Sequence, residues 1–243
     1  MKAWYREDLA YIHDVGHRDY ALKSAPGILS ILAQNNIPAG LVVDLGCGSG
    51  LSALELTKAG YSVLGVDISA SMIAIARIRV PEAEFRVESL FKTDIPSCYA
   101  VISVGECFNY LFDTDNTCEL LVQLFCRIYA ALVPGGVFVF DIAEPGQTAA
   151  DRTQSFTEGE DWIVLVEKTE DRVQSLLTRR IITLRRVGEY YRRDEEVHRL
   201  RLYEATEMAE KLGRVGFEVQ ITRSYGQYQL PNAHAAFIAC KPI

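Results

Sequence analysis

Three glycines at alternate positions, Gly46, Gly48 and Gly50, follow a short apolar segment and have the pattern of a ligand-binding turn. Glycine has no side chain, so such a turn lets a ligand approach the backbone closely. The spacing differs from the G-x-G-x-x-G pattern of dinucleotide loops, because Leu51 stands where the third glycine would fall. The glycines alone indicate a ligand loop without specifying the ligand.

Two acidic residues near this loop indicate which kind of ligand it could bind. Asp44 comes just before the loop. A carboxylate there could bind a cationic group directly or the ammonium of an amino acid through water, but it would repel the pyrophosphate of a dinucleotide. Asp67 ends the next apolar segment, twenty-one residues after Gly46, and its two oxygens could accept both hydroxyls of a ribose. The alternatives are that Asp44 only braces the loop and that Asp67 caps the helix opened by Ser69.

The elements that must position these residues alternate regularly over the first 142 residues. Helical patterns occupy much of the first forty residues, where Pro26 fits a first turn. Further along, the sequence predicts strands at 41–45, 61–66, 84–87, 100–104 and 136–142, and helices at 52–59, 69–79 and 116–132. This alternation calls for a parallel sheet with helices on both faces.

The pattern changes after Pro145. Strands are predicted at 162–167, 174–186 and 197–203, and we interpret them as an antiparallel insertion at about 150–203. A helix at 206–212 and two strands at 217–223 and 235–241 follow, the strands being within hairpin reach. The sequence therefore predicts one domain over residues 1–243.

Three motifs in this order resemble those of the class I S-adenosylmethionine-dependent methyltransferases. They are Val42–Gly50, Leu64–Ser69 and the Leu-Val-Pro-Gly-Gly turn at 132–136. The resemblance implies an α/β, Rossmann-like fold with a mostly parallel seven-stranded sheet, an antiparallel terminal hairpin and a small antiparallel β insertion. It also implies S-adenosyl-L-methionine as methyl donor and S-adenosyl-L-homocysteine as product.

The resemblance further implies which residues bind the cofactor. The methionine part would be surrounded by Asp44, Gly46, Cys47, Gly48 and Gly50, with Gly105 close by. The adenosine would contact Asp67, Ile68 and Met72, and its adenine amine would meet the segment Glu88, Ser89, Leu90, where the family usually carries an Asp. An N-terminal helical lid over residues 1–40 could add Tyr11 and Tyr20, for which ordinary packing is the alternative.

The acceptor side is less clearly encoded. Glu106 and Asn109 follow the fourth predicted strand and could face the acceptor, the alternative being a polar helix start. His198 is the best candidate for a general base, although a single histidine is more often structural. Arg201, on the same predicted strand, could bind an acidic acceptor. The sequence has no zinc-like grouping of Cys and His, so we expect no metal site.

The composition of the chain argues against some classes of binding partner. The net charge of −7 argues against nucleic acid, and no apolar stretch reaches membrane-spanning length. Six cysteines without a CxxC pair favour a reducing, cytoplasmic location. We therefore predict methyl transfer by in-line displacement to a small-molecule acceptor (an N, O or C nucleophile), by a monomer or homodimer. The alternatives are a non-catalytic S-adenosylmethionine-binding regulatory protein and a nicotinamide-dependent oxidoreductase.

Overall fold

The computed structural model describes residues 4–149 and 152–243. Residues 1–3 of the predicted lid, and residues 150–151 at the predicted start of the insertion, lie outside these ranges. Two helices open the described chain, α1 (Glu7–Gly16) and α2 (Asp19–Gln34).

Pro26 differs from its prediction, since it lies inside α2 rather than in a first turn. The helix begins seven residues earlier, at Asp19, and continues past the proline, which cannot donate the usual backbone hydrogen bond there. The next residue, Gly27, packs against the backbone of Tyr225, whose carbonyl carbon would lie 2.3 Å from a Cβ at that position. The packing of α2 against Tyr225 therefore outweighs the local preference of a proline for the first turn of a helix.

The central sheet follows the predicted alternation. Its elements are β1 (Gly40–Leu45), α3 (Leu51–Lys58), β2 (Tyr61–Asp67), α4 (Ala70–Arg79), β3 (Glu84–Val87), β4 (Cys98–Ser103), α5 (Cys118–Ala131) and β5 (Leu132–Ala143). The first five strands run parallel. One turn of 3₁₀ helix, Cys107–Asn109, follows β4.

The C-terminal part completes the sheet with an antiparallel hairpin. It consists of α6 (Ala205–Val215), β10 (Glu218–Thr222), a small hairpin of β11 (Ser224–Tyr225) and β12 (Tyr228–Gln229), and β13 (His234–Cys240). The seven-stranded order is β10-β13-β5-β4-β1-β2-β3, with β13 antiparallel to both β5 and β10. The predicted fold class is confirmed.

The insertion is a separate four-stranded antiparallel sheet. It consists of β6 (Arg152–Glu158), β7 (Trp162–Asp171), β8 (Leu176–Val187) and β9 (Tyr190–Arg201), paired in that order. The sequence did not predict β6, because its residues are mostly polar and exposed, so it lacks the apolar alternation that marks a half-buried strand. Backbone pairing with β7 holds it instead.

The central sheet is buried on both faces. Along β5, Phe138 and Phe140 point to one layer, where Phe140 stacks on Phe237, while Val137 and Val139 point to the other. These side chains are all fully buried, as expected for a sheet covered by helices on both sides. No described helix has both the length and the apolar composition needed to cross a bilayer.

Candidate active site

A cavity of about 570 Å³ lies at the carboxyl ends of the parallel strands. It is lined mainly by the loops after β1 to β4, the N-terminal segment and the insertion sheet, with Pro231 and His234 from the C-terminal part. The N-terminal part supplies Tyr5, Leu9, His13, His17 and Tyr20. The insertion supplies Ser155, Thr157, Val164, Val166, Lys168, Arg179 and Ile181. This volume falls in the range of small-molecule sites.

The glycine loop forms one wall of the cavity. Gly46 and Gly48 line it and both have positive φ angles, +80° and +53°. A Cβ at Gly48 would meet no atom within 4 Å, so the backbone there is open to a ligand. Gly50 also has a positive φ but turns toward Ala76, and neither Gly50 nor Cys47 lines the cavity.

Asp67 is fixed at the cavity edge by the backbone around it. Its Oδ2 accepts a hydrogen bond from the Gly48 N–H at 2.9 Å, and its Oδ1 accepts one from the Ser69 N–H at 2.8 Å. Ser69 itself caps α4, accepting from the Met72 N–H. Each carboxylate oxygen keeps a further lone pair, so the geometry is compatible with two additional donors such as ribose hydroxyls. Burial raises the pKa of Asp67.

Asp44 lies behind the loop and is 1% exposed. Its Oδ2 is buried without a hydrogen-bond partner among the described residues, which is unusual for a carboxylate. Burial, together with repulsion from Asp67, raises the pKa of Asp44 to about 7. A buried acid with an unsatisfied oxygen fits a site that receives a cationic group, such as the ammonium of a methionine moiety.

The region predicted to meet adenine is partly closed by internal hydrogen bonds. Leu90 lines the cavity, but Glu88 accepts from the Thr93 hydroxyl at 2.7 Å and Ser89 donates to Asp113 at 2.6 Å. Asp113 itself lines the cavity. Sequence reasoning missed Asp113, because it belongs to an irregular loop 24 residues beyond Ser89.

An ion-pair cluster forms another part of the cavity wall, at the loop after β4. Glu106 is bound by Arg179 through both guanidinium Nη atoms, and its Oε2 also lies 3.1 Å from His234 Nε2. Burial opposes ionisation of Glu106, but the charges of Arg179 and His234 outweigh it and lower its pKa to about 2. The other ring nitrogen of His234, Nδ1, lies 2.9 Å from the carbonyl oxygen of Asn232. Both ring nitrogens thus face acceptors, which favours imidazolium, and the pKa of His234 is raised despite its burial.

The two predicted lid tyrosines have different surroundings. Tyr20 lines the cavity, and burial together with the Asp141 and Glu106 carboxylates raises its pKa, so it stays neutral. Tyr11 lies outside the cavity, bound to Asp161 and covered by the Arg185 guanidinium at 3.8 Å from its ring centre. His13 also lines the cavity, and burial lowers its pKa to about 4.

Three predicted acceptor-side residues are not at the cavity wall. Asn109 is fully buried and holds backbone groups of Ala143 and Arg201. His198 is fully buried, bonded to Glu196 at 2.8 Å and surrounded by four aromatic rings. Arg201 lies three residues after His198, so its side chain points to the other face of β9 and contacts Cys118.

Known proteins resemble this chain over the part that carries the glycine loop. A family model described as a methyltransferase domain matches residues 42–136, which include the glycine loop and Asp67. A protein of Geobacillus sp. (strain WCH70), described as a methyltransferase, is 26% identical over 200 residues, 76% of each chain. The 18S rRNA (guanine(1575)-N(7))-methyltransferase of Saccharomyces cerevisiae is 31% identical over 145 residues, 56% of this chain and 52% of that one.

Solved structures share the fold over the whole length. An S-adenosylmethionine-dependent methyltransferase of Clostridium acetobutylicum has a TM-score of 0.82 at 18% identity, covering 98% of this chain and 99% of that one. The sugar N-methyltransferase KedS8 of a Streptoalloteichus species has a TM-score of 0.78 at 20% identity, covering 100% and 98%. The chain thus contains a match to a methyltransferase domain over residues 42–136 and shares the fold of class I S-adenosylmethionine-dependent methyltransferases, which supports S-adenosylmethionine as the cofactor.

Proposed function

We propose that the enzyme methylates a small molecule held inside the cavity, at an N, O or C nucleophile. The observation that carries this proposal is the enclosure of the cavity: the N-terminal helices and the insertion sheet line the same space as the glycine loop. An acceptor must fit within about 570 Å³ together with part of the cofactor. The net charge of −7 also favours a small acceptor over a polyanion such as RNA.

The cofactor would bind at the glycine-loop end. We propose that Asp67 holds the ribose hydroxyls, with Ile68 and Met72 against the nucleoside, and that Asp44 serves the methionine ammonium. Support comes from the free lone pairs of Asp67 and the unpartnered Asp44 Oδ2. Asp113, reached by the Ser89 hydroxyl, is a better-placed candidate for the adenine amine than Glu88.

The domain organisation is part of the same proposal. Residues 1–40 act as a lid over the cofactor, and the insertion at about 150–203 covers the acceptor. Glu196 of β9 supports this arrangement, because it accepts hydrogen bonds from the Tyr5 and Arg6 N–H groups and thus joins the lid to the insertion. We propose that His198 positions Glu196 in this contact rather than acting as the general base.

For methyl transfer, the main task of the protein is to align the acceptor with the methyl group of the cofactor. S-adenosylmethionine supplies an electrophilic methyl group on a sulfonium, so the acceptor must be desolvated and oriented in line with it. The buried wall formed by Leu9, Val164 and Ile181 excludes water. His13 is neutral at pH 7 with an unpartnered Nδ1, and could accept a hydrogen bond from an acceptor N–H or O–H group.

The test is S-adenosylhomocysteine formation with two sets of acceptors. One set contains small amines, alcohols, phenols and carboxylic acids, and the other contains ribosomal RNA, transfer RNA and total protein. We expect turnover with a member of the first set, abolished in Asp67→Ala. Turnover confined to RNA or protein would contradict the proposal.

A cytoplasmic location is also proposed, since all six cysteines are free.

A further inference from the structure

We propose that Lys168 and Arg179 form an anion subsite that holds a carboxylate or phosphate group of the acceptor. The inference rests on the proposed small-molecule acceptor and specifies its chemical class.

Strand pairing places the two cations side by side. Lys168 on β7 lies directly opposite Arg179 on β8 in the antiparallel register. Both side chains line the cavity. Because successive side chains alternate between the faces of a strand, Glu167 and Arg180 point away, and each has an ion-pair partner on that outer face. At this position two positive side chains lie next to each other on the cavity face of the sheet, whereas a positive and a negative side chain lie next to each other on its outer face.

The cavity-facing cations are incompletely neutralised. Glu106 binds the two Nη atoms of Arg179, and the buried Arg179 Nε has no hydrogen-bond partner in the part of the chain that the structure describes. Lys168 forms no ion pair with a carboxylate in the described ranges. Like charges directly opposite each other on a sheet destabilise it, and partial burial adds a desolvation cost. These costs lower the pKa of Lys168, with burial as the main cause and Arg179 next.

Among the described residues, the groups that contact Glu106 do not supply the missing negative charge. His234 adds a further positive charge on Glu106. Behind Glu106, the Asp141 carboxylate is occupied by the Gly105 and Glu106 N–H groups and the Tyr225 hydroxyl. Glu106 thus faces three cations, and an anionic ligand would offset the surplus. A neutral ligand would leave Lys168 and Arg179 Nε unpaired beneath it.

The test uses protein saturated with S-adenosylhomocysteine and labelled with ¹³C at the lysine Cε atoms. Sodium phosphate and sodium acetate are titrated in at constant ionic strength. The Lys168 resonance, assigned by its loss in Lys168→Met, is expected to shift in a saturable manner, and its titration midpoint is expected to rise. Calorimetry should show phosphate binding weakened about tenfold or more in Lys168→Met, the scale of one hydrogen bond to a charged group.

The matched control is Arg180→Gln, which removes one positive charge from the outer face of the same sheet. It should bind phosphate like the unmodified protein. A Lys168 resonance unmoved by both anions, or equal weakening in Arg180→Gln, would overturn the subsite. Turnover of neutral acceptors only, unchanged in Lys168→Met, would overturn the subsite and leave the proposed function intact. Anion binding at Lys168 with turnover confined to macromolecules would support the subsite and contradict the proposed function.

Discussion

Replacing Asp44 by asparagine should remove a pH dependence from cofactor binding. The pKa of Asp44 is about 7, and an ammonium group binds the ionised carboxylate. The ionised share is about one in eleven at pH 6 and about ten in eleven at pH 8, so affinity should rise about tenfold between them. Asp44→Asn has the same shape without the charge, so its affinity should be lower at pH 8 and nearly independent of pH.

The assay is calorimetric titration with S-adenosylhomocysteine at pH 6, 7 and 8. Methylthioadenosine, which lacks the amino-acid portion, is the matched control ligand, and its affinity should not change with pH. The reasoning would be refuted by a flat profile for S-adenosylhomocysteine in the unmodified protein, or by the same slope in Asp44→Asn.

The same pKa shift has a consequence for stability. An acid whose pKa is raised on folding holds its proton more tightly in the folded state, so stability falls as pH rises from its usual pKa to the raised one. For Asp44 this window extends from about pH 4 to about pH 7. In the absence of cofactor, Asp44→Asn should therefore raise Tm relative to the unmodified protein by more at pH 8 than at pH 5. An equal Tm change at both pH values would contradict the buried, ionisable state of Asp44.

Three further outcomes follow from the site. Asp67→Ala should weaken S-adenosylhomocysteine binding at least about tenfold, because charge-assisted hydrogen bonds are lost, and calorimetry that shows unchanged affinity would refute the ribose role. Glu106→Gln should destabilise the fold by about 3 kcal/mol in urea unfolding, since it leaves buried cations unpaired. The control is Glu195→Gln, which also breaks arginine pairs but at a half-buried position whose partners are exposed, and it should change stability far less. Glu196→Ala should speed hydrogen exchange at the Tyr5 amide without altering exchange in the central sheet, and unchanged exchange would show that Glu196 does not hold the lid.

The cofactor half of the site was predictable because its signals are local. Gly46, Gly48 and Asp67 lie within one strand-loop-helix-strand segment, and the alternation of apolar runs is sufficient to place their loops at the same edge of a parallel sheet. The parallel central sheet followed from the same alternation, and the seven strands and the terminal hairpin from the family resemblance.

The acceptor half could not be predicted in the same way, because it depends on contacts between distant residues. Glu106 meets Arg179 across 73 positions and His234 across 128. No short motif encodes such pairs, and Arg179 is one of several arginines in the insertion strands with no local pattern that sets it apart. The lid was expected only from the family resemblance, with Tyr11 and Tyr20 as its candidate residues.

A crystal structure with S-adenosylhomocysteine tests the central claim most directly. We predict the ribose hydroxyls on the Asp67 carboxylate, the ammonium next to Asp44, and the sulfur directed toward the end of the cavity that Glu106 and Arg179 close. A cofactor bound outside the cavity, or a sulfur directed away from the insertion sheet, would contradict the account.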